Sequence, residues 1–335
     1  MSSKIFIGPM SKNVIEASIN CAERHSTTIG LIPSRRQVEY TGGYVCGFKT
    51  KEFVAFVRSR TEKVQIQRDH GGPLQGDRKD SGFKSFKCDI NNGFDLLHID
   101  PWKKYQRLDR GIEETINLIQ FCEKNKYRGQ YEIGTEEAIR LLEPAELALM
   151  IRRCEKVLPR YIFSKIKYIV VQGGTALKSN KNIGVFNEER FSAMINITRS
   201  HGMRAKEHNG DYLLERDILK RFELGLDAIN IAPEFGFLET SIILNELFNE
   251  GDYQLYNLLY LECKKSKRWN KWIPENFNEL PLEMRKQIII RVAGHYVLNS
   301  SVVKEIKNKY DYLDDIIKEK LEEKIGGLLC LTEKF

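Results

Sequence analysis

The strongest constraint on the fold is a regular alternation, over the first 250 residues, of short apolar runs with longer segments of helical period. Eight runs are candidate strands, at residues 5–7, 28–33, 64–67, 96–99, 131–133, 168–171, 203–208 and 228–232. In the segments between them, apolar residues recur at spacings of three and four, as in an amphipathic helix. Strands that alternate with helices pair in parallel through crossovers. The pattern therefore predicts an α/β fold, a (β/α)8 TIM barrel.

A doubly wound open sheet is the alternative arrangement of the same elements. Its dinucleotide-binding form needs GxGxxG after the first strand, whereas GPMSKN follows residues 5–7. The rhythm stops near Gly251, and the remainder to Phe335 has the pattern of helices joined by a proline-containing loop. We expect a barrel over residues 1–250 and a C-terminal helical extension over 251–335, packed on the barrel or on a partner.

Composition narrows the class of protein. The net charge of +7, with acidic and basic residues interleaved, is typical of a solvated surface. No RNA-recognition signature, zinc-finger spacing or basic arm occurs, so we expect no nucleic-acid partner. The seven cysteines lie far apart and form no CxxC pair, which favours reduced thiols in a cytoplasmic protein. Neither a signal peptide nor an apolar run of about 18 residues is present, so we expect no membrane association.

The loops after the predicted strands carry a dense set of polar residues. In a (β/α)8 barrel the active site forms on these loops, so their side chains converge on one mouth. The set is Asp69, His70, Asp100, Glu136, Gln172, His208 and Asp211. Each alone is typical of a helix cap or a hydrogen-bonded structural residue, and it is the joint pattern that indicates a site. His98 lies inside a predicted strand and is interpreted as a packed core residue.

Two of these residues, His70 and His208, are candidate ligands of one divalent metal. Imidazole with a carboxylate or carbonyl oxygen suits zinc, nickel or manganese. Asp69 would lie near the ion, where a general base is wanted. The Gly71-Gly72 pair lets the backbone bend away, so that His70 can point inward.

Backbone N–H groups near the last strand ends offer a second kind of site. Residues 173–179 and 209–212 contain glycine, and the segment 232–240 enters a helix directly. A helix N-terminus can hold an anion, and phosphate binding near the seventh and eighth strands is a recurrent barrel feature. Tight-turn chemistry is the alternative interpretation.

Seven motifs carry a family resemblance over about residues 5–250. They are SRRQVEYTGGYVCG, RDHGGP, LHIDPW, YEIGTE, IVVQGG, KEHNGDY and INIAPEFGFLETSI. In this order they resemble segments of the tagatose-bisphosphate aldolase accessory subunit family, the GatZ/KbaZ group. The resemblance implies a (β/α)8 barrel akin to the zinc-dependent class II aldolases. It implies that Asp69 transfers protons, that His70 and His208 bind metal, and that Gln172 stands where those aldolases carry another His ligand.

The resemblance extends to ketose and keto-uronate 4-epimerases. It implies a metal-dependent carbohydrate enzyme that acts on a ketose or ketose phosphate by aldol or retro-aldol chemistry, as a C4 epimerase or an aldolase. Glu136 would be a metal ligand or a second acid/base, with Glu132 as the alternative. Lys206 is the one candidate for a Schiff base. The alternatives are a non-catalytic subunit that stabilises a class II tagatose-bisphosphate aldolase and a sugar-binding protein without chemistry. The expected protein partner is a second copy of the chain, in a homo-oligomer, or a partner aldolase subunit.

Seven residues are expected to contact substrate hydroxyls or phosphate: Ser34, Arg35, Gln37, Tyr44, Asp100, Asp211 and Asn230. The chain also departs from the family pattern. Arg68 stands where the accessory subunits have Gly, and Pro101-Trp102 stands where they have small residues. A Trp at the barrel mouth would reshape the pocket, so we expect a substrate other than tagatose bisphosphate.

Overall fold

Eight parallel strands close into a barrel in the computed structural model, which describes residues 3–335. They are β1 (Ile5–Ile7), β2 (Ile29–Leu31), β3 (Val64–Gly71), β4 (Leu96–Ile99), β5 (Gln130–Ile133), β6 (Ile166–Val171), β9 (Arg204–Glu207) and β10 (Ala228–Ile231). β7 (Leu177–Lys178) and β8 (Lys181–Asn182) form a separate antiparallel hairpin. Each predicted run overlaps a barrel strand, and the predicted (β/α)8 fold is confirmed.

Helices connect the barrel strands and continue after the last one. They are α1 (Lys12–Arg24), α2 (Thr50–Arg58), α3 (Phe83–Asn91), α4 (Leu108–Lys124), α5 (Pro144–Val157), α6 (Arg160–Phe163), α7 (Glu188–Ser200), α8 (Glu215–Glu223), α9 (Pro233–Asn249), α10 (Tyr253–Lys265), α11 (Leu282–Ala293), α12 (Ser301–Lys309) and α13 (Leu313–Thr332). Short 3-10 turns cover Arg268–Lys271, Phe277–Glu279 and Gly294–Tyr296. Pro144 and Pro233 begin their helices at the position where the missing N–H costs nothing.

An apolar layer fills part of the barrel interior. It consists of Phe6, Ile32, Leu96, Tyr168 and Ala228, and the rings of Phe6 and Tyr168 lie 5.8 Å apart. Because side chains alternate along a strand, the residues between these positions face the helices instead. Two residues further along three of these strands, toward their C-terminal ends, the residues are polar: Ser34, His98 and Asn230.

The C-terminal helices pack on the barrel. α13 lies along α1 and also contacts α8 and α9, and Glu322 of α13 pairs with Arg24 at 2.6 Å. The turn Gly294–Tyr296 packs on α9 so closely that a Cβ atom on Gly236 would lie 2.6 Å from the Cβ of His295. Only glycine permits this approach, which brings His295 and Tyr296 to the barrel mouth.

The seven cysteines are all free, and Cys21, Cys122, Cys154 and Cys263 are buried. Within residues 3–335, no helix combines the length and apolar character that crossing a membrane requires.

Candidate active site

A cavity of about 440 Å³ opens at the C-terminal ends of the barrel strands. Its wall includes Ser34 after β2, Asp69 and His70 of β3, Glu136 after β5 and Asn209 after β9. The C-terminal helices and turns supply four more residues, Lys271, Trp272, His295 and Tyr296. The loops after the strands therefore build the mouth, as the fold requires.

A bulge at the end of β3 presents two consecutive residues to this cavity. Arg68 pairs with Leu97 and Gly71 with Ile99, so β3 has one residue more than β4 over this stretch. His70 lies at φ 45°, in the left-handed region. Such a bulge changes the direction of the strand, and both Asp69 and His70 line the cavity.

The two glycines that follow are required by close approach. A Cβ atom on Gly71 would lie 2.5 Å from the Phe86 ring and 2.8 Å from the His98 carbonyl oxygen. Gly72 has φ 138°, and a Cβ there would lie 2.8 Å from the Asp100 carbonyl oxygen. A larger residue at either position would move β3 away from β4 and displace His70.

Four residues bring ligand atoms together at the base of the cavity. The side chains of Asp69, His70, His98 and His208 each offer one such atom, all within 4.8 Å of one another. Asp69 Oδ1 lies 3.7 Å from His98 Nδ1 and 3.9 Å from His208 Nδ1, and Asp69 Oδ2 lies 3.7 Å from His70 Nε2. These distances are too long for hydrogen bonds. They approach the separation of about 3.4 Å between ligand atoms around a tetrahedral zinc ion, so the donor set fits a divalent metal.

Carboxylates set the orientation of two of the imidazoles. His70 Nδ1 lies 2.6 Å from Asp100 Oδ2, which leaves Nε2 free toward the cluster. His208 Nε2 lies 2.6 Å from Glu132 Oε1, which leaves Nδ1 free. A carboxylate behind each ligating imidazole is a common feature of protein metal sites because it fixes the tautomer and raises ligand basicity.

His98 belongs to this cluster, although the sequence interpretation placed it in the core. It is fully buried, as expected of a core residue, but its Nδ1 atom faces Asp69. Its Nε2 donates to the Gly134 carbonyl at 3.1 Å, and Nδ1 also accepts the His70 backbone N–H at 3.2 Å. Alternation along LLHID could have identified it, because Leu96 faces the interior and His98 is two residues further on.

The carboxylates and imidazoles of the cluster shift one another's pKa values. Burial alone would lower the pKa of His70, but the carboxylates of Asp69, Asp100 and Glu136 raise it to about 10. Burial alone would raise the pKa of Asp69, but the neighbouring imidazoles, His70 foremost, hold it below its usual range. Burial lowers the pKa of His208. Asp69 is therefore an anion among three imidazoles, an arrangement suited to holding a cation.

Lys206 and Glu132 form an ion pair inside the barrel. Lys206 Nζ donates to Glu132 Oε2 at 2.8 Å and to Gln67 Oε1 at 2.7 Å. It also lies 3.5 Å from the centre of the Phe6 ring. Lys206 does not line the cavity, so it is not placed as a Schiff-base nucleophile. Glu132 acts on the cluster through His208.

Glu136 and Gln172 have different environments. Glu136 lines the cavity, accepts a hydrogen bond from Asn209 Nδ2 at 2.7 Å and lies 3.7 Å from His70 Nε2. Gln172 is turned away from the cluster. Its Nε2 donates to the carbonyls of Thr135 and Arg140, and its Oε1 accepts the Leu142 N–H at 2.8 Å. These three hydrogen bonds hold the loop that carries Glu136. Because they turn the Gln172 amide away from the cluster, the structure does not support Gln172 as a metal ligand.

The predicted substrate contacts divide into two groups. Ser34, Gln37 and Tyr44 line the cavity. Arg35 is buried instead, and its guanidinium contacts Glu39 and Asp80 at 2.6 to 2.8 Å. Arg36, the next residue, lines the cavity in its place.

Three further predicted contacts have positioning roles. Asp100 orients His70. Asn230 Nδ2 lies 3.5 Å from Asp69 Oδ1. Asp211 Oδ1 accepts the N–H groups of Ala232 and Glu234 at the start of α9. The carboxyl group of Asp211 thus occupies the helix N-terminus that we expected to bind an anion.

Two departures from the family pattern lie outside the cavity. Trp102 is fully buried against Gly111 of α4 and does not narrow the mouth, because its indole turns toward the helices. Arg68 is buried too, and its guanidinium contacts both oxygens of Asp89 and the carbonyls of Pro33 and Val38. Because neither side chain reaches the cavity, neither Trp102 nor Arg68 can change the substrate by contacting it directly.

No family model and no curated protein sequence matches the chain. Solved structures do. A probable tagatose 6 phosphate kinase from Sinorhizobium meliloti 1021 has a TM-score of 0.70 at 19% identity, covering 96% of this chain and 86% of its own. The fructuronate-tagaturonate epimerase UxaE from Cohnella laeviribosi has a TM-score of 0.69 at 14% identity, covering 98% and 81%. The YdjI aldolase from Escherichia coli K12 has a TM-score of 0.52 at 14% identity, covering 91% and 90%.

The structural neighbours are of the kinds that the motif resemblance implies. At these identities the likeness shows a common fold, so the chain shares its barrel with a carbohydrate epimerase and an aldolase. What a chain does with this fold depends on the residues at the mouth.

Proposed function

We propose that this chain is a metal-dependent enzyme that acts on a ketose or ketose phosphate by aldol and retro-aldol chemistry, as a C4 epimerase or an aldolase. The observation that carries the proposal is the group of three imidazoles and one carboxylate at the barrel mouth. His70 Nε2 and His208 Nδ1 would hold the ion, and His98 Nδ1 would join them by exchanging the His70 backbone N–H for the metal. We propose the ion to be zinc, with nickel or manganese as alternatives. When bound, it would polarise the substrate carbonyl as a Lewis acid.

Asp69 is the proposed proton acceptor. Its pKa lies below the usual range, so it is ionised at neutral pH, and it lies at the base of the cavity. In the proposed step a carboxylate oxygen takes the proton of the C4 hydroxyl. The C3–C4 bond breaks, its electron pair goes to the C1–C3 fragment, and C4 becomes an aldehyde carbon.

Glu136 is the proposed second proton carrier, since it lines the same cavity next to His70. An epimerase would let the aldehyde turn and add again, which inverts C4 and returns the proton. An aldolase would protonate the C1–C3 fragment and release both products. Asn209 holds Glu136 by one hydrogen bond, so the carboxylate has a fixed position in the mouth.

Metal analysis is the first test. Protein purified without chelator would be examined by mass spectrometry, with His70→Ala and His208→Ala as variants and His201→Ala as the matched control. His201 lies at the end of α7 and contacts the Ile197 carbonyl, outside the cavity. We expect near-stoichiometric metal in the wild type and control and its loss in both variants. A panel of ketoses, ketose phosphates and keto-uronates would then separate epimerisation from cleavage. A wild type that takes up no zinc, nickel or manganese would contradict the metal mechanism.

An accessory subunit is the second candidate function. Exposed apolar side chains on α10 and at the start of α11 favour it, namely Tyr253, Leu258, Leu261, Leu282 and Met284. Large apolar side chains exposed on two helices that pack together are suited to a protein interface. A chain without metal or turnover that nevertheless raises the thermal stability of a class II tagatose-bisphosphate aldolase would support this function.

A further inference from the structure

Three cationic side chains stand at the cavity mouth, and none belongs to the metal cluster. Arg36 follows β2, Lys103 follows β4, and Lys271 lies in the turn Arg268–Lys271 among the C-terminal helices. All three line the same cavity as Asp69 and His70. We call this group the cationic rim. The cavity thus has the imidazoles and Asp69 at its base and three cations at its rim.

The rim has more positive charge than its neighbours neutralise. Arg36 Nε lies 3.4 Å from Asp77 Oδ1, but Asp77 also pairs with Arg268. Among residues 3–335, no carboxylate oxygen lies within 4.0 Å of Lys103 or Lys271. Lys271 Nζ instead lies 4.1 Å from the centre of the Trp272 ring. This aromatic contact positions the ammonium group without neutralising it.

The electrostatics of the two lysines agree with this geometry. Partial desolvation in the mouth lowers the pKa of Lys103 and, to about 8, that of Lys271. The charge of Arg36 is the next cause in both cases. The three cations therefore repel one another, and an anion placed between them would relieve that repulsion.

We propose that Arg36, Lys103 and Lys271 bind the anionic group of an acidic sugar, a phosphate ester or a carboxylate. The proposal rests on the proposed function, because it identifies the kind of substrate that the metal cluster would act on. Guanidinium and ammonium groups together are a strong oxyanion site. A cavity of about 440 Å³ is within the range of small-molecule sites. Through Lys271 the C-terminal helices take part in substrate recognition.

Binding measurements test the rim separately from catalysis. Isothermal titration calorimetry on metal-loaded protein would use D-tagatose, D-tagatose 6-phosphate and D-tagaturonate as probes. The variants are Lys103→Gln and Lys271→Gln, and the matched controls are the exposed neighbours Lys104→Gln and Lys265→Gln. We expect each rim variant to weaken binding of a charged probe roughly ten-fold and to leave D-tagatose binding unchanged. The probe that loses affinity identifies phosphate or carboxylate as the group bound.

Several outcomes would overturn the proposal. Equal losses for D-tagatose and the charged probes would show that the lysines only shape the cavity. Unchanged binding in both rim variants, or a wild type that binds neither charged probe more tightly than D-tagatose, would exclude an anion site. A chain that binds charged probes selectively but shows no turnover would support the anion site and contradict the proposed function.

Discussion

His70 Nδ1 lies 2.6 Å from Asp100 Oδ2, and this contact decides which nitrogen of His70 faces Asp69, His98 and His208. Asp100 is itself held by Gln75, whose Nε2 donates to Oδ2 at 2.9 Å, and by the Trp102 backbone N–H. The carboxylate is fully buried, so its position is set by the protein. We infer that Asp100 accepts the Nδ1–H of His70 and directs Nε2 at the cavity, where a metal ion would take the place of the Nε2 proton.

We predict that Asp100→Asn weakens metal binding about 10- to 100-fold, because a neutral amide is a poorer acceptor and no longer fixes the tautomer. Competition with a chromogenic chelator would measure the affinity. Asp109→Asn, an exposed change at the start of α4, is the control. Equal affinities in Asp100→Asn and wild type would contradict the positioning role.

Gln172 was expected to bind the metal, but in the structure it holds the loop that carries Glu136. One substitution distinguishes these two roles. Its amide holds the Thr135 and Arg140 carbonyls and the Leu142 N–H. We predict that Gln172→Ala leaves metal content unchanged but lowers turnover, because the loop that carries Glu136 loses three hydrogen bonds, each contributing about 1 kcal/mol. Mass spectrometry and steady-state kinetics would be compared with Gln130→Ala, an exposed change on β5. Metal loss in Gln172→Ala would restore Gln172 as a ligand.

The barrel and much of its mouth could be predicted because they follow from periodicity. Runs such as LLHI and YIVV have the β-branched and apolar composition of buried parallel strands, and the loops that follow them must meet at one end of the barrel. Asp69, His70 and His208 were found in this way. The same alternation, followed inward from Leu96, would have added His98.

The direction of other side chains could not be predicted, because distant residues decide it. Arg35 and Arg36 have the same chemistry, and Arg35 is turned away only because Glu39 and Asp80 meet its guanidinium. Trp102 is buried because Gly111 of α4 leaves room for its indole. Lys271 reaches the mouth through helix packing that no local pattern specifies.

Arg68 and Asp89 form a fully buried ion pair, with Arg68 Nη2 2.6 Å from Asp89 Oδ1. We predict that Arg68→Met lowers the free energy of unfolding by about 3–5 kcal/mol, because it leaves the Asp89 carboxylate buried and unpaired. Urea unfolding would measure this, with the exposed Arg216→Met as control. The double variant Arg68→Met, Asp89→Leu should recover much of the loss. An Arg68→Met variant as stable as wild type would contradict a stabilising role for the Arg68–Asp89 ion pair.

The cationic rim predicts a pH dependence of ligand binding. Lys271 has a pKa lowered to about 8 by partial desolvation and by Arg36, against the opposing charge of Glu136. It is cationic below that pH and neutral above it. We therefore predict that affinity for a bound phosphate or carboxylate sugar falls as pH rises through about 8, and that Lys271→Gln removes this part of the decline. Identical pH profiles for wild type and variant would show that Lys271 does not meet the anion.

Asp211 predicts a pH dependence of stability. Its side chain is buried, Oδ2 has no hydrogen-bond partner, and burial together with the charge of Glu234 raises its pKa to about 8. In the unfolded chain an Asp titrates near about 3.9. Below pH 4 the group is protonated in both states. Between pH 4 and 8 only the unfolded chain loses the proton, so the free energy of unfolding falls by up to about 1.4 kcal/mol per pH unit.

Asp211→Asn removes this titration while keeping an oxygen to accept the Ala232 and Glu234 N–H groups. We predict that the variant gains stability over wild type as pH rises from 4 to 8, and that the difference is constant above pH 8. Urea unfolding at several pH values would measure it, with the exposed Asp311→Asn as the control for removing one acidic group. A difference that shrinks as pH rises would mean that the folded protein prefers ionised Asp211 as the cap of α9. The helix N-terminus would then outweigh burial and Glu234.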